Sequence, residues 1–394
     1  MSILLAERLK LVKPSPTLAV TARAAAMRAA GADIISFGSG EPDFDTPEHI
    51  KQAAIKAIQN GFTKYTAVGG IPELKEAVRQ KFKEDNQLEY STDEIVISVG
   101  GKQSIYNLCQ ALINPGDEVI IPAPYWVSYP DIALLAEGVP VIIPTTIDQH
   151  YKILPEQLDA AITPKTRLFF INSPSNPSGI AYSAAELRAL GDVLERHPHV
   201  LIATDDMYEK ILWSQPFVNI LNTNPALYSR TIVLNGVSKA YSMTGWRIGY
   251  TAGPKPLINA MTMIQSQSTS NPCSIAQKAA VAALLGPQDA VAQMTQAFEQ
   301  RHTYLLERLN AIPGIQVVPA DGTFYSFPSV QTIIEAKKLK NDLEFSQLLL
   351  EETGVALVPG SAFGCEGCIR LSFATDLTSL EKAMDRLARF CELS

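Results

Sequence analysis

The sequence predicts an α/β protein: a mostly parallel sheet flanked by helices forms a large domain, and the N-terminal arm and C-terminal part form a smaller α+β domain. Three observations predict this. From Glu94 to Tyr250, short apolar runs alternate with helical stretches, as in successive strand–helix units. Gly101, Asn176, Asp205 and Lys239 stand at the ends of those runs, and parallel sheets carry ligands beyond the carboxyl edge of their strands. From about residue 288 the pattern changes to longer helical segments interleaved with single short strands. The expected division is 1–45 as an arm joining the small domain, 46–287 as the large domain and 288–394 as the small domain.

Composition narrows the function. The chain has 394 residues, 46% apolar and 19% charged, an ordinary globular balance with room for two domains. A net charge of −7 argues against non-specific nucleic-acid binding, which needs clustered cations. A small anionic substrate is compatible, because a few cations inside a pocket suffice. MSILLAERLKLVKPSP carries charges within its apolar stretch, unlike a signal peptide, and no apolar run reaches the roughly 18 residues of a membrane span. Five cysteines, an odd and sparse count, point to reduced thiols in a cytoplasmic protein. Cys365 and Cys368 form a CxxC with no second pair and no histidine at ligand spacing. Zinc is therefore not expected, and the pair reads as two incidental thiols in a turn or as a redox-sensitive pair.

The elements follow in order. ADIISFGSGEPDFDTP has a β-like run, Ile34 to Phe37, and then Gly and Pro punctuation; Gly38 and Gly40 permit close backbone approach or simply a tight loop. Residues 46–60 read as a helix, with Thr46 as its cap, Pro47 in its first turn and Ile50, Ala54, Ala57 and Ile58 as its apolar stripe. Tyr65 lies in a loop before Gly-Gly, a surface or interface position, and a second helix starts at Pro72. EIVISVGGKQSIYNLCQALI is strand, glycine turn and helix, with Ile105, Leu108, Cys109 and Leu112 facing inward. The N–H groups of Gly101, Lys102 and Gln103 then point out of a helix N-terminus, a natural phosphate site. A nucleotide-binding P-loop fails here: Val96 and Gln103 occupy the positions that need glycine and Ser or Thr.

Two more strands surround a helix in EVIIPAPYWVSYPDIALLAEGVPVIIP, with Trp126 at a strand-to-helix junction. A tryptophan there either joins the core or stacks on a planar ring. TRLFFINSPSNPSGI reads as a fully apolar strand ending in a turn cluster that holds Asn176. VLIATD is another, ending at Asp205. Asp206 cannot face the same way as Asp205 from an extended chain, and reads as a helix cap or surface charge. Arg370, on the late strand IRLSF, reads alone as an edge or salt-bridge residue.

The most informative stretch is TIVLNGVSKAYSMTGWRIGY. A short strand enters a loop of small residues holding Lys239, and Arg247 follows eight residues later. Lys239 is either a solvated surface charge or an amine enclosed in a site, where desolvation and nearby cations make it a nucleophile toward an aldehyde cofactor. Arg247 has the paired donors that clamp a phosphate.

GVSKAYSMTGWRIG resembles the lysine motif of the class I pyridoxal-phosphate aminotransferases. GEPDFDTP, the Asn-Pro turn at Asn176, Asp205 with Tyr208 three residues on, and IRLSF resemble further segments of that family in the same order. The likeness covers nearly the whole chain and looks most like the aspartate aminotransferase branch called Ib. It implies that Lys239 binds pyridoxal 5'-phosphate and shuttles a proton during transamination. Asp205 would pair with the cofactor's pyridine nitrogen, Asn176 and Tyr208 with its ring oxygen, and Trp126 would stack on the ring. The phosphate would be held by Arg247, by the N–H groups of Gly101, Lys102 and Gln103, and by Tyr65 of a neighbouring subunit, which implies a homodimer with shared sites. Gly236 stands where many relatives carry serine, which implies a weaker phosphate grip.

For substrate, the likeness implies that Arg370, assisted by Gly40, binds the α-carboxylate and that Lys102 binds the distal carboxylate of a dicarboxylic amino acid or 2-oxo acid. Trp126 and Asn176 would also face the substrate, and Lys13 resembles a lysine that some members use to accept prephenate. The expected reaction is L-aspartate plus 2-oxoglutarate to oxaloacetate plus L-glutamate in two half-reactions. The alternatives are an aromatic, prephenate or neutral amino-acid aminotransferase, a related β-lyase, or a non-catalytic binding protein on the same fold. No metal and no nucleic-acid partner is expected.

Overall fold

The structure is a computed structural model that describes residues 3–12, 14 and 16–392. Its strands, in chain order, are β1 (Ile35–Ser36), β2 (Ile95–Ser98), β3 (Glu118–Pro122), β4 (Val139–Ile143), β5 (Thr166–Asn172), β6 (Leu201–Asp205), β7 (Thr231–Gly236), β8 (Gly249–Ala252), β9 (Tyr325–Ser326), β10 (Val355–Ala356), β11 (Val358–Pro359) and β12 (Ile369–Ser372). Seven of them form the main sheet in the order β2-β8-β7-β6-β5-β3-β4. β8 runs antiparallel to both neighbours, while β7, β6, β5, β3 and β4 pair in parallel. The α/β class read from strand–helix alternation is therefore the observed one.

Period-2 alternation builds a core on each face of this sheet. On β5, Phe169 and Ile171 enter one apolar cluster, and Leu168 and Phe170 enter the other. Burying each such side chain contributes about 1.5–3 kcal/mol. Helices cover both faces, which leaves the carboxyl ends of the parallel strands as the accessible edge.

A third cluster joins Phe37 and Tyr208 to Met294, Phe298, Leu305 and Leu309 of the helix Asp289–Asn310, and to Leu380, Met384 and Leu387 of the helix Leu377–Cys391. It lies against the antiparallel sheet β11-β12-β9. The early segment reaches this region through β1, which pairs in parallel with β10. Among the described residues, no helix is long and apolar enough to cross a membrane.

Two readings of the 46–60 helix need correction. It spans Glu48–Gln59 with Pro47 at the cap position. Thr46 does not cap it; its hydroxyl donates to the Ser242 carbonyl at 2.6 Å and accepts from the Trp246 indole at 3.0 Å, which ties this turn to the loop after Lys239. Ile58 is 54% exposed, because only Ile50, Ala54 and Ala57 face the core. Asp206 is neither cap nor surface charge. It is buried, accepts from the Thr204 hydroxyl and the Asn219 amide, and is pushed up to about 7 by desolvation and by the charge of Glu209.

Candidate active site

Strand ends converge on a cavity of about 420 Å³. β6 ends at Asp205, β5 leads through Asn172 to Asn176, and β7 leads through Gly236 to Lys239. β2 passes by way of Gly100 into the helix Gly101–Leu112. β12, in the antiparallel sheet β11-β12-β9, brings in Arg370.

Asp205 is 8% exposed. One carboxylate oxygen accepts from the Tyr129 hydroxyl at 2.6 Å, and the other accepts a long 3.3 Å bond from the Met207 N–H. Desolvation raises its pKa, and the Tyr129 bond opposes that shift. A buried carboxylate with one strong donor still has lone pairs to satisfy, so the site favours a cationic N–H partner. Asn172 steadies the strand end: its amide donates to the Asp205 carbonyl at 2.8 Å and its oxygen accepts from the Asn176 N–H at 2.8 Å.

Arg370 is 2% exposed and meets no carboxylate at ion-pair distance among the described residues. Its guanidinium donates to the Asn176 side-chain oxygen and to the Gly38 carbonyl, each at 3.0 Å, while its Nε is buried with no partner. It lies 4.5 Å from the Tyr325 ring centre and 5.0 Å from that of Phe363. Burial lowers its pKa, but a guanidinium stays charged at neutral pH. An unneutralised buried cation of this kind calls for an anionic ligand.

Lys239 donates to the Gly40 carbonyl. Burial, then the charges of Arg370 and Arg247, bring its amine down to about 8, against the opposing pull of Glu41 and Asp205. Tyr208 is buried between the Tyr325 hydroxyl at 3.1 Å and the Asn176 amide at 3.5 Å, so Asn176 links Tyr208 to Arg370.

The outer rim is cationic. Gly100 has φ +79°, and a Cβ there would lie 2.3 Å from the Arg247 guanidinium, so only glycine lets that arginine approach. Arg247 is exposed, and one of its nitrogens donates to the Thr244 carbonyl at 2.9 Å. The Lys102 amine sits 5.0 Å from the Trp126 ring centre, and desolvation and the charge of Arg247 lower its pKa. Gly101 and Lys102 open the helix, where N–H groups lack intrahelical acceptors.

Of the expected site residues, Lys239, Asp205, Tyr208, Asn176, Arg247, Arg370, Trp126, Gly101, Lys102 and Gly40 all line this cavity. Gln103 does not. Its N–H turns back to the Gly100 carbonyl at 3.1 Å, and its side chain accepts from the Val99 N–H and donates to Thr269. Gly40 lies at the lysine; it is the Gly38 carbonyl that meets Arg370. Tyr65 is 91% exposed and outside the cavity of its own chain. Lys13 lies outside the described residues. At Gly236 a Cβ would come 3.0 Å from the Ile248 carbonyl and 3.1 Å from the Met207 methyl, so the backbone and Met207 fill the space a serine would need.

Sequence reasoning missed Tyr129, Tyr325, Asn172 and Met207. Tyr129 had a signal, three residues after Trp126 at the start of a helix, and Tyr325 another, in the short aromatic run that becomes β9, the neighbour of β12.

A cavity at the carboxyl edge of such a sheet, holding an enclosed amine, a buried carboxylate and a buried arginine, is the kind found in enzymes that exchange amino groups between acids. The family description "Aminotransferase class I and II" matches residues 32–387, and the chain belongs to that family. It is 59% identical over 391 residues to the aspartate/prephenate aminotransferase of Nitrosomonas europaea, covering 98% of each chain. It is 52% identical to the aspartate aminotransferase of Geobacillus stearothermophilus, covering 98% of this chain and 99% of that one. The crystal structure of the aspartate aminotransferase from Rhizobium meliloti superposes with a TM-score of 0.96 at 48% identity, covering both chains completely.

Proposed function

We propose that this chain is a pyridoxal-phosphate-dependent aminotransferase that passes the amino group of L-aspartate to 2-oxoglutarate, giving oxaloacetate and L-glutamate. The observation that carries this reading is the pairing, in one cavity, of the Lys239 amine at about 8 with the buried Arg370 guanidinium that lacks an acidic partner. Relatives named for aspartate at 52–59% identity support the choice of amino donor.

The residues fit the cofactor. Asp205 has lone pairs free for a ring N–H, Trp126 offers a ring face, and the Gly100 turn with Arg247 forms a cradle that a Cβ would fill. Bound pyridoxal phosphate supplies an aldehyde carbon for amines and a ring that accepts the electron pair released at the substrate α-carbon. Asp205, steadied by Tyr129 and Asn172, would hold the ring nitrogen's proton. Asn176 and Tyr208 would donate to the ring oxygen. Arg247 and the N–H groups of Gly101 and Lys102 would hold the phosphate. Arg370 would bind the α-carboxylate in paired bonds, and Lys102 the distal one. The Lys239 Nζ would then take the proton leaving the α-carbon, a task suited to an amine near neutral pKa.

The exposure of Tyr65, and of the apolar residues Ile55, Ile58, Met263 and Leu285, supports a homodimer in which Tyr65 reaches the partner's phosphate site. Five free cysteines support a cytoplasmic setting. On this reading residues 46–287 form the cofactor domain, and 1–45 with 288–394 form the small domain that carries Arg370.

The test is a paired-substrate assay. Purified enzyme with aspartate and 2-oxoglutarate is expected to yield oxaloacetate and glutamate in equal amounts, with the parallel double-reciprocal lines of a two-step exchange. Lys102→Ala is expected to lower kcat/KM for aspartate about tenfold while leaving alanine unaffected. Product release without an oxo acid would point to a lyase instead. The prephenate activity for which the Nitrosomonas relative is named favours prephenate as a second amino acceptor, to be tested by replacing 2-oxoglutarate with prephenate.

A further inference from the structure

The reaction above makes no use of Cys365 and Cys368. Their sulfurs lie 3.6 Å apart. Cys368 is buried and Cys365 is partly accessible. Gly360 lies between their backbones: its N–H donates to the Cys368 carbonyl at 2.7 Å and its carbonyl accepts from the Cys365 N–H at 3.1 Å. A Cβ at Gly360 would come 2.3 Å from the Cys365 carbonyl and 2.7 Å from the Cys368 Cβ, so this is a tight, closed turn. The Cys368 sulfur is also 3.6 Å from the Tyr151 hydroxyl. Hydrogen bonds from Cys365, Tyr151 and Ser329 lower the Cys368 thiol, and the same contact with Cys368 pushes Cys365 up. Among the described residues no group of three or more metal-ligating side chains exists, so the pair lacks the further ligands of a zinc site.

The turn touches the substrate cavity at two points. The Phe363 ring lies 5.0 Å from the Arg370 guanidinium. The Phe363 carbonyl accepts from the Tyr125 N–H at 3.0 Å, and a Cβ at Gly364 would meet the Tyr125 ring at 2.5 Å. Tyr125 directly precedes Trp126 on the cavity wall. Val127, also on that wall, packs in the same apolar cluster as Phe363 and both cysteines.

We propose that Cys365 and Cys368 form a thiol–disulfide exchange site whose oxidation shifts Phe363 against Arg370 and weakens binding of the substrate carboxylate. The co-reactant is a low-molecular-weight disulfide of the glutathione class. Cys368, the lower of the two thiols, takes the Cys365 proton across their contact as the accessible Cys365 sulfur attacks one sulfur of the small disulfide. That S–S bond breaks, a mixed disulfide forms, and the released thiolate takes the proton from Cys368. The Cys368 thiolate then attacks the Cys365 sulfur and expels the second small thiol, which is protonated by solvent. Two protein thiols are oxidised to one disulfide, and one small disulfide is reduced to two thiols. The sulfurs must close from 3.6 Å to about 2.0 Å, which the turn has to follow. The thiol chemistry stands by itself, whereas its effect on substrate rests on reading Arg370 as the carboxylate-binding residue.

The test equilibrates the holoenzyme in a series of reduced and oxidised glutathione ratios. Alkylation with peptide mapping reads the thiols, and KM for aspartate and for 2-oxoglutarate is measured alongside. The expected result is an intramolecular Cys365–Cys368 link, a rise of roughly threefold or more in both KM values with the cofactor's absorbance unchanged, and full reversal by dithiothreitol. Cys365→Ser is expected to hold constant KM across the series. A map without that link overturns the proposal, as does a link that leaves both KM values unmoved, or an equal KM rise in Cys365→Ser, which would implicate the exposed Cys273. Failure of the aspartate reading is distinguishable, because the fully reduced enzyme would then be inactive while the map still reports the link.

Discussion

Asp205 and Arg370 sit on the floor of the cavity at 8% and 2% exposure, whereas Lys102 and Arg247 stand at its rim in reach of solvent. Floor residues are held by neighbours within this chain: Tyr129 and Asn172 on Asp205, Asn176 and Gly38 on Arg370. The rim has few such supports; among the described residues, the one hydrogen bond of the Arg247 side chain is to the Thr244 carbonyl. The floor is therefore preorganised, with rigid groups in a low dielectric where each bond counts heavily. The rim works by summed charge in water, where single cations count for less.

This comparison can be broken most directly at the floor. Arg370→Ala removes a buried cation from an anion site, a loss of about 2–5 kcal/mol. It is expected to lower kcat/KM for both amino and oxo acids by roughly 30- to 4,000-fold, with little change in cofactor affinity. A loss no larger than that of a rim variant would show that the floor is not special.

The acidity of Lys239 sharpens the same point. Only the neutral amine reacts with an aldehyde, and the folded pKa of about 8 lies below the ordinary 10.5. The reactive fraction therefore rises as pH rises, about tenfold per unit below 8, and levels off above it. The rate at which cofactor-free enzyme takes up pyridoxal phosphate should follow that curve. Arg370→Ala removes a repelling charge and should move the midpoint upward. A midpoint left in place would mean that burial alone sets it.

Tyr129→Phe tests whether floor residues act through one another. It removes a charge-assisted bond to Asp205 while keeping the ring that stacks on Phe170 at 4.8 Å. About a tenfold loss of kcat is expected, with KM nearly unchanged. At the rim, Arg247→Ala should weaken cofactor binding about three- to tenfold, more at low salt than at high, and leave kcat nearly intact once cofactor is saturating. A salt-independent loss would place Arg247 with the floor.

The floor was largely legible in the sequence because its residues stand at strand ends. Lys239, Asp205 and Asn176 each follow an apolar run, so the fold and the site announce themselves together. Tyr129 and Tyr325 stand in segments the sequence marks, but their roles were not legible, since these arise where a helix start and a short antiparallel strand meet β6 and β12 in space. The rim was misread at Gln103 because a helix's third N–H turns back to the residue before the helix. Asp206 was misread because its burial depends on Asn219 and on Glu209, whose charge is met by Lys81 from the helix Pro72–Asn86.

The central claim is that Lys239 and the floor around it hold pyridoxal phosphate and pass an amino group through it. An absorbance spectrum of the purified protein, titrated first with L-aspartate and then with 2-oxoglutarate, tests this most directly. The account predicts a visible cofactor band that aspartate bleaches and 2-oxoglutarate restores, and that Lys239→Ala lacks. A protein that shows no visible band after incubation with excess pyridoxal phosphate would contradict it.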